Sequence, residues 1–412
     1  MPMPGKEYIA ELGGWQGFTV GSCNRYDVSA RDVPSEIWVE LYPDQSLPVF
    51  CSGCGDTVKK VHDWVDRWVR DLPAWGAQTS LLVHMRRMKC EQCGTALEEI
   101  PWLSPYARVT KRLAEEVAQM CRDVPIKSVA EHYGLSWDRV KRIHKAHLME
   151  KFAVPDLSNV TEIGMDEFSI RKGHQYATVI LEPRTRRVLW VGRGRKREDI
   201  RPFFELLGKA GCERIEAAVM DMWEPFEQEV RAHCPNARIV YDFFHIKSNY
   251  GREVVDRVRV DEANRLKGQK PERALVKGTK WLLLGNKANL KREDRVRLAE
   301  LLAANKPLAK AHILKEDLAQ LWQYSYERAA KNFWNDWYKR AISSRVKPIK
   351  DFARKLKERL PGILAHCKYP LNTSVIEGVN NKIKVIKRMA YGFRDDEYFF
   401  LRIREAFPGK CG

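Results

Sequence analysis

The order of short apolar runs between residues 161 and 241 constrains this chain more than any other feature. Residues 161–170, 176–181 and 188–191 predict three consecutive strands, with a turn at Pro183. Residues 197–209 carry Ile200, Phe203, Phe204 and Leu207 at helical spacing. A strand at 215–220, a helix at 226–233 and a strand at 237–241 follow. Three strands in immediate succession predict an antiparallel meander. The later alternation predicts parallel strands joined by crossover helices. Strand, strand, strand, helix, strand, helix, strand is the order of a ribonuclease-H-like α/β core.

Two acids stand at telling places in that pattern. Asp166 interrupts the first strand, and Asp221 ends the fourth. These strands are neighbours in such a sheet, so their carboxylates should converge, and open sheets place ligands beyond the carboxyl ends of their strands. A third acid, Glu377, sits on a basic helix capped by Asn372 or Thr373. Ile376, Val379, Ile383 and Ile386 form its buried stripe, with Glu377 just off it beside Asn381, Lys384 and Arg388. Carboxylates gathered this way suit hard divalent cations, Mg²⁺ or Mn²⁺, and two such ions drive in-line displacement at a phosphodiester. Each acid also has a plainer reading. Asp166 precedes Glu167 and could be a strand-end polar residue, Asp221 a helix cap, Glu377 a first-turn dipole partner. Asp242 and His245 end the fifth strand three residues apart. They face the same cleft if a helical turn begins there; otherwise Asp242 simply caps a turn.

The net charge of +18 predicts a polyanionic partner, and nucleic acid is the commonest. No apolar run is long enough to span a bilayer, and the first residues lack a signal-type stretch, so a cytoplasmic protein is expected. Its ten cysteines are then thiols or metal ligands. Cys51/Cys54 and Cys90/Cys93 form two Cys-x-x-Cys pairs, trailed by Gly55 and Gly94, as a structural tetrahedral zinc site requires. The span between them exceeds ordinary zinc-ribbon spacing, and His62 or His84 competes for a ligand position. Residues 80–83 and Arg86-Arg87 predict a hairpin arm into the second knuckle, and residues 37–41 a strand.

Leu113, Val117 and Met120 share a helical face. Further on, a helix to Tyr133, a turn at Gly134, a cap at Ser136 and a second helix bearing Arg139, Lys141, Arg142 and Lys145 predict a helix-turn-helix. A plain helical hairpin with a solvated basic face is the alternative. On the late helix, Lys382, Lys384, Lys387 and Arg388 are further candidates for phosphate contact. Residues 247–370 lack strand signal and predict an all-helical insertion in the core; its Trp281, Trp322, Trp334 and Trp337 are more often core residues than base-stacking ones.

The chain resembles the ISL-three family of bacterial insertion-sequence transposases. The resemblance runs through Cys51-x-x-Cys54 with Cys90-x-x-Cys93, Met165-Asp-Glu-Phe, Lys172-Gly-His-Gln-Tyr-Ala-Thr, Val191-Gly-Arg-Gly-Arg, Val219-Met-Asp-Met-Trp-Glu-Pro-Phe, Asp242-Phe-Phe-His and Asn372-Thr-Ser-Val-Ile-Glu-Gly-Val-Asn-Asn-Lys-Ile-Lys. It ends in Gly392-Phe-Arg and covers nearly all of residues 50–405. Phe243 stands where the family motif usually has arginine. The resemblance implies a multidomain chain: an N-terminal segment (1–46), a zinc-ribbon-like module (47–105), a helix-turn-helix (106–153), a ribonuclease-H-like core in two parts (154–246 and 371–412) and the insertion (247–370). It implies that Asp166, Asp221 and Glu377 hold two catalytic metal ions, with Asp242 and His245 accessory. It implies double-stranded DNA as partner, both terminal inverted repeats and target, and a homodimer or larger assembly on DNA.

Overall fold

A computed structural model describes residues 5–27, 34–285, 289–371 and 374–409. The chain forms two compact units, Met1–Ala153 and Val154–Gly412.

In the first unit, α1 (Lys6–Gly13) precedes β1 (Phe18–Tyr26), β2 (Glu36–Pro43), β3 (Val61–Ala74), β4 (Ala77–Cys90) and β5 (Gly94–Leu97). They form one sheet in the order β1-β2-β4-β3, with β5 on β4. The strands β3 and β4 make a hairpin of 14 residues a side, which explains the long span between the cysteine pairs. Val39, Leu41, Val69, Leu81, Val83 and Met85 alternate inward and pack with Ile9, Trp15 and Phe18. Sequence reading found β2 but missed β1, where only Phe18 and Val20 alternate before a run of small and polar residues. Residues 1–46 therefore contribute two strands to the sheet, more than their pattern advertises.

Three helices follow: α2 (Lys111–Met120), α3 (Ile126–Tyr133) and α4 (Trp137–Phe152). Val117, Val129, Tyr133 and Val140 form their common core. A buried carboxylate ties this bundle to the sheet. Asp71 on β3 accepts hydrogen bonds from Trp15 Nε1 (2.8 Å), Thr110 Oγ1 (2.7 Å) and Arg112 Nε (2.8 Å). Thr110 is also the N-cap of α2, accepting from Leu113 N at 3.3 Å.

In the second unit, β6 (Glu162–Arg171), β7 (Gln175–Glu182) and β8 (Arg187–Arg193) form an antiparallel meander. Then come α5 (Arg197–Arg214), β9 (Ala217–Met220), α6 (Glu224–His233), β10 (Arg238–Tyr241) and α7 (Phe243–Tyr250). The sheet order is β10-β9-β6-β7-β8, with β9 parallel to both β6 and β10. This is the predicted ribonuclease-H-like order. A π-helical turn (Gly251–Asp256) leads into the insertion, α8 (Arg257–Arg265), α9 (Lys270–Val276), α10 (Lys280–Leu284), α11 (Arg292–Ala304), α12 (Lys306–Gln320), α13 (Glu327–Ser343), α14 (Lys347–Glu358) and α15 (Leu360–Leu364). Trp334 and Trp337 are fully buried in its core, as the plainer reading held; Trp281 is exposed. The chain closes with α16 (Ser374–Met389) and α17 (Asp396–Ala406).

Strand parity decides what each face of this sheet carries. Ile163, Met165, Ala218 and Met220 face α5 and α6. Phe168, Ala217, Val219 and Val240 face α16 and α17, packing with Ile376, Val379, Ile383 and Phe399. Asp166, Asp221 and Asp242 share the parity of this second set, so all three fall on the α16 side. Gly164 lets α16 approach: a Cβ there would lie 3.0 Å from Ile376 Cδ1.

Candidate active site

Asp166, Asp221, Asp242, His245, Glu377 and Asn380 line one cleft of about 790 Å³ at the carboxyl ends of β9 and β10. Asp166 lies within β6, Asp221 one residue beyond β9 and Asp242 one beyond β10. The insertion supplies part of the wall through Lys355, whose ammonium pairs with Glu253 at 3.1 Å.

Burial pushes the Asp166 carboxyl up to about 7, and the charges of Asp221 and Asp242 add to the rise. Burial likewise raises Asp221, with Glu167 and Asp242 adding. Asp242 is the N-cap of α7, accepting from Phe244 N at 2.7 Å. Its other oxygen lies 2.9 Å from His245 Nδ1. That hydrogen bond, with the neighbouring aspartates, lifts His245 to about 9, so the ring is an imidazolium at neutral pH. Asp242 caps the first turn of α7, and that turn brings His245 into the lining of the same cleft. Phe243 packs instead against Trp322, the rings tilted at 39° with centroids 4.7 Å apart.

Among the described residues, the buried Oδ1 of Asp221 has no hydrogen-bond partner. An orphaned carboxylate oxygen beside a second, desolvated carboxylate fits a hard divalent cation, which needs oxygen ligands. Glu377 lines the same cleft from the first turn of α16 but is exposed. Its suggested caps, Asn372 and Thr373, lie outside the described residues. Among the described residues only the four cysteines bring their ligand atoms within 4.8 Å of one another. The acids therefore surround a common space without closing on it.

Two supports escaped sequence reading. Asn380, one turn after Glu377, is buried and donates from Nδ2 to Asp166 Oδ2 at 2.6 Å. Its place on the stripe of Ile376, Val379 and Ile383 was the available signal. Arg195 pairs with Glu167 at 2.7 Å, and its guanidinium lies 4.2 Å from the Tyr176 ring and 4.7 Å from Trp223. Trp223 Nε1 donates back to the Arg195 carbonyl at 3.1 Å. Arg195 thus braces the residues that follow both Asp166 and Asp221. It ends the Val191-Gly-Arg-Gly-Arg stretch.

On the late helix, Lys384, Lys387 and Arg388 line the groove beside the acids; Lys382 is exposed and does not. In the other unit, Cys51, Cys54, Cys90 and Cys93 form the metal group, with Cys54 and Cys90 sulfurs 3.6 Å apart. A tetrahedral zinc with ~2.3 Å bonds sets its sulfurs about 3.8 Å apart, so the thiols fit a structural zinc. Gly55 and Gly94 both take the left-handed backbone that a knuckle needs. Burial opposes ionisation of Cys51, yet the Gly53 and Cys54 amides bring its thiol down to about 7. Neither candidate histidine joins the cluster: His84 bridges Asp66 and Glu40 (2.7 and 3.2 Å), and His62 pairs with Asp63.

The turn at Gly134 and the Ser136 cap, which accepts from Arg139 N at 3.3 Å, shape a helix-turn-helix. Arg142 is exposed on α4, Arg139, Lys141 and Lys145 are half-buried, and Lys141 lies over the Trp137 ring at 5.8 Å.

A four-thiolate zinc module and a helix-turn-helix in one unit, with an acidic cleft on a ribonuclease-H-like sheet in the other, define a DNA-acting protein of the transposase class. Residues 163–403 match the transposase domain of ISL3, 98–148 the helix-turn-helix domain of transposase family ISL3, and 47–93 the zinc-finger of transposase IS204/IS1001/IS1096/IS1165. The chain belongs to the ISL3 family of transposases. It is 46% identical over 407 residues to the transposase for insertion sequence element IS1001 of Bordetella parapertussis, spanning 98% of this chain and 99% of that one. It is 25% identical over 378 residues, 84% of this chain and 83% of the relative, to the transposase for insertion sequence element IS1557 of Mycobacterium tuberculosis (strains CDC 1551 / Oshkosh and ATCC 25618 / H37Rv). No described helix is long and apolar enough to cross a membrane.

Proposed function

We propose that this transposase binds the terminal inverted repeats of an insertion sequence, cuts a phosphodiester at each element end and joins the freed 3′ hydroxyl to target DNA. The observation that carries the reading is the orphaned Asp221 Oδ1 facing a cleft shared with Asp166 and Glu377. Asp166, Asp221 and Glu377 would hold two divalent ions, Mg²⁺ or Mn²⁺, which when bound activate the attacking oxygen and neutralise the leaving one.

The chain's own residues do the positioning. Asn380 fixes one oxygen of Asp166 and leaves the other free of it. Arg195 pairs with Glu167, which lines the same cleft, and fixes its carboxylate. Asp242 orients the His245 imidazolium, a donor for a phosphate oxygen. Lys384, Lys387 and Arg388 meet backbone phosphates beside the acids. In the other unit, Arg139, Lys141, Arg142 and Lys145 of α4 contact the repeat. Two ends cut in one event call for a homodimer or larger assembly on DNA. Chromosomal DNA as substrate places the reaction in the bacterial cytoplasm, at the nucleoid.

The test is divalent-dependent nicking of inverted-repeat DNA in the presence of a supercoiled target. Wild type should give nicked ends and joined products. Asp221→Asn should lose both by roughly a thousandfold or more, the scale of a lost metal ligand at a phosphoryl-transfer site. Nicking without joined products would make the chain a nuclease, and repeat binding without nicking a regulator; either result refutes the proposal.

A further inference from the structure

Past Asn380 the acidic cleft opens into a second pocket of about 670 Å³ with a different character. Its floor is apolar, from Phe168 and Ile383, and its rim is cationic, from Lys384, Lys387 and Arg388. At its mouth stands Tyr391, fully exposed. The two cavities share Glu167, Asn380 and Lys384, so they form one continuous groove.

Tyr391 is an odd choice for its place. It ends α16 by donating its backbone N–H to the Arg388 carbonyl (3.0 Å), and the Gly392 N–H then donates to the Lys387 carbonyl (2.9 Å). This is a helix stop that glycine ordinarily fills. Tyr391 takes it with φ of 52°, a left-handed conformation that a bulky side chain adopts only under strain. Its ring stacks on no other ring among the described residues. The fold thus carries a strained aromatic that gives it no packing in return, beside an apolar floor and three cations. Lys387 gives one N–H to the Ser169 carbonyl at 3.1 Å, which steadies the rim and leaves two donors.

We propose that this pocket holds one nucleotide of DNA next to the scissile phosphate, unpaired from its duplex. Its base stacks on Tyr391 over the Phe168–Ile383 floor, and its phosphate lies against Lys387 and Arg388. Stacking of a base on an aromatic ring is tolerant of sequence, and the cationic rim matches the backbone. The proposal rests on the DNA-cleaving reading of the neighbouring acids and names which part of the DNA the groove takes.

The test uses the full chain and a duplex carrying the element end, with or without a single mismatch at the nucleotide beside the mapped cut. An enzyme that extrudes a base binds tighter where unpairing has already occurred. Wild type should bind the mismatched duplex about tenfold or more tighter than the paired one, because the mismatch spares the cost of unpairing the base, roughly a few kcal/mol. Tyr391→Phe should keep that preference. Tyr391→Gly should lose it while melting at the same temperature as wild type or higher, because glycine suits the left-handed position. Equal preference in wild type and Tyr391→Gly, or none in wild type, overturns the pocket. Asp221→Asn separates the two readings: it should abolish cleavage yet retain the mismatch preference. If it cleaves normally, the catalytic reading falls, and the mismatch measurement still judges the pocket.

Discussion

Asp71→Asn is the sharpest probe of what holds the DNA-binding unit together. The Asp71 side chain is wholly buried, and both its oxygens are in use. Oδ1 accepts from Thr110, Arg112 Nε and the Leu72 amide (2.9 Å); Oδ2 accepts from Trp15 Nε1 and Arg112 Nη2. An amide of the same shape keeps the first set. It turns a donor toward Trp15 and Arg112, orphaning a buried indole N–H at about 1–3 kcal/mol. Breaking a buried ion pair adds up to ~3–5 kcal/mol, but Arg112 is 39% exposed and can turn to water, which cuts that sum. A total near 3 kcal/mol follows, or roughly 6–12 °C in the melting of a unit of this size. Burial alone would raise the Asp71 pKa; Arg112, Thr110 and Trp15 together hold it below its ordinary value. A carboxyl depressed in the folded state contributes stability above its unfolded pKa of ~3.9 and loses it as pH falls through the folded value. The gap between wild type and Asp71→Asn should therefore be full at neutral pH and shrink below about pH 4. Hydrogen exchange of the β3 and α2 amides, read beside thermal melts, assigns the loss to this unit. A gap under about 1 °C at neutral pH, or one that persists undiminished in acid, refutes the account.

Chelation should release one zinc per chain and expose the Cys51 and Cys90 thiols to a colorimetric reagent, with Cys90→Ser purifying zinc-free. Zinc retained in Cys90→Ser would move the ligand set elsewhere. Arg142→Ala should weaken binding to repeat and unrelated duplexes alike, and lower the slope of log K against log salt by about 0.9, one phosphate contact. A change confined to one sequence, with the slope intact, would instead make Arg142 a base reader.

Patterns that repeat along the chain were legible; contacts between distant segments were not. The meander, the crossover strands and the stripe of α16 follow from period-two and period-3.6 apolar spacing, and parity then puts Asp166 and Asp221 on one face. The four cysteines were legible because thiolate spacing is chemistry written locally. β1 was illegible because its outer half holds few apolar residues and is stabilised by pairing with β2. The contacts of Asn380 with Asp166 and of Arg195 with Glu167 were illegible because each joins segments far apart along the chain. Which of the four late-helix cations line the groove was not legible from their closeness in sequence: Lys382, two residues from Lys384, lies more than half a helical turn away and outside the groove.

The same cleft that suits a cation should weaken the fold that builds it. Asp166, Asp221 and Asp242 are desolvated on one sheet face with His245 as the near countercharge, and burial already lifts Asp166 and Asp221. A cation binding only the folded state would stabilise it by RT ln(1 + [L]/Kd), about 1.4 kcal/mol at tenfold excess over Kd. For a unit of this size that is roughly 3–6 °C in melting temperature. Asp221→Asn removes one of the crowded charges. Its melting temperature without divalent ions should match or exceed that of wild type, while the Mg²⁺-induced rise should largely disappear. Those two signs together distinguish a ligand from a structural carboxylate. A lower melting temperature for Asp221→Asn with an undiminished Mg²⁺ response would mean that Asp221 supports the sheet and that the cation, if it binds, is held by other groups.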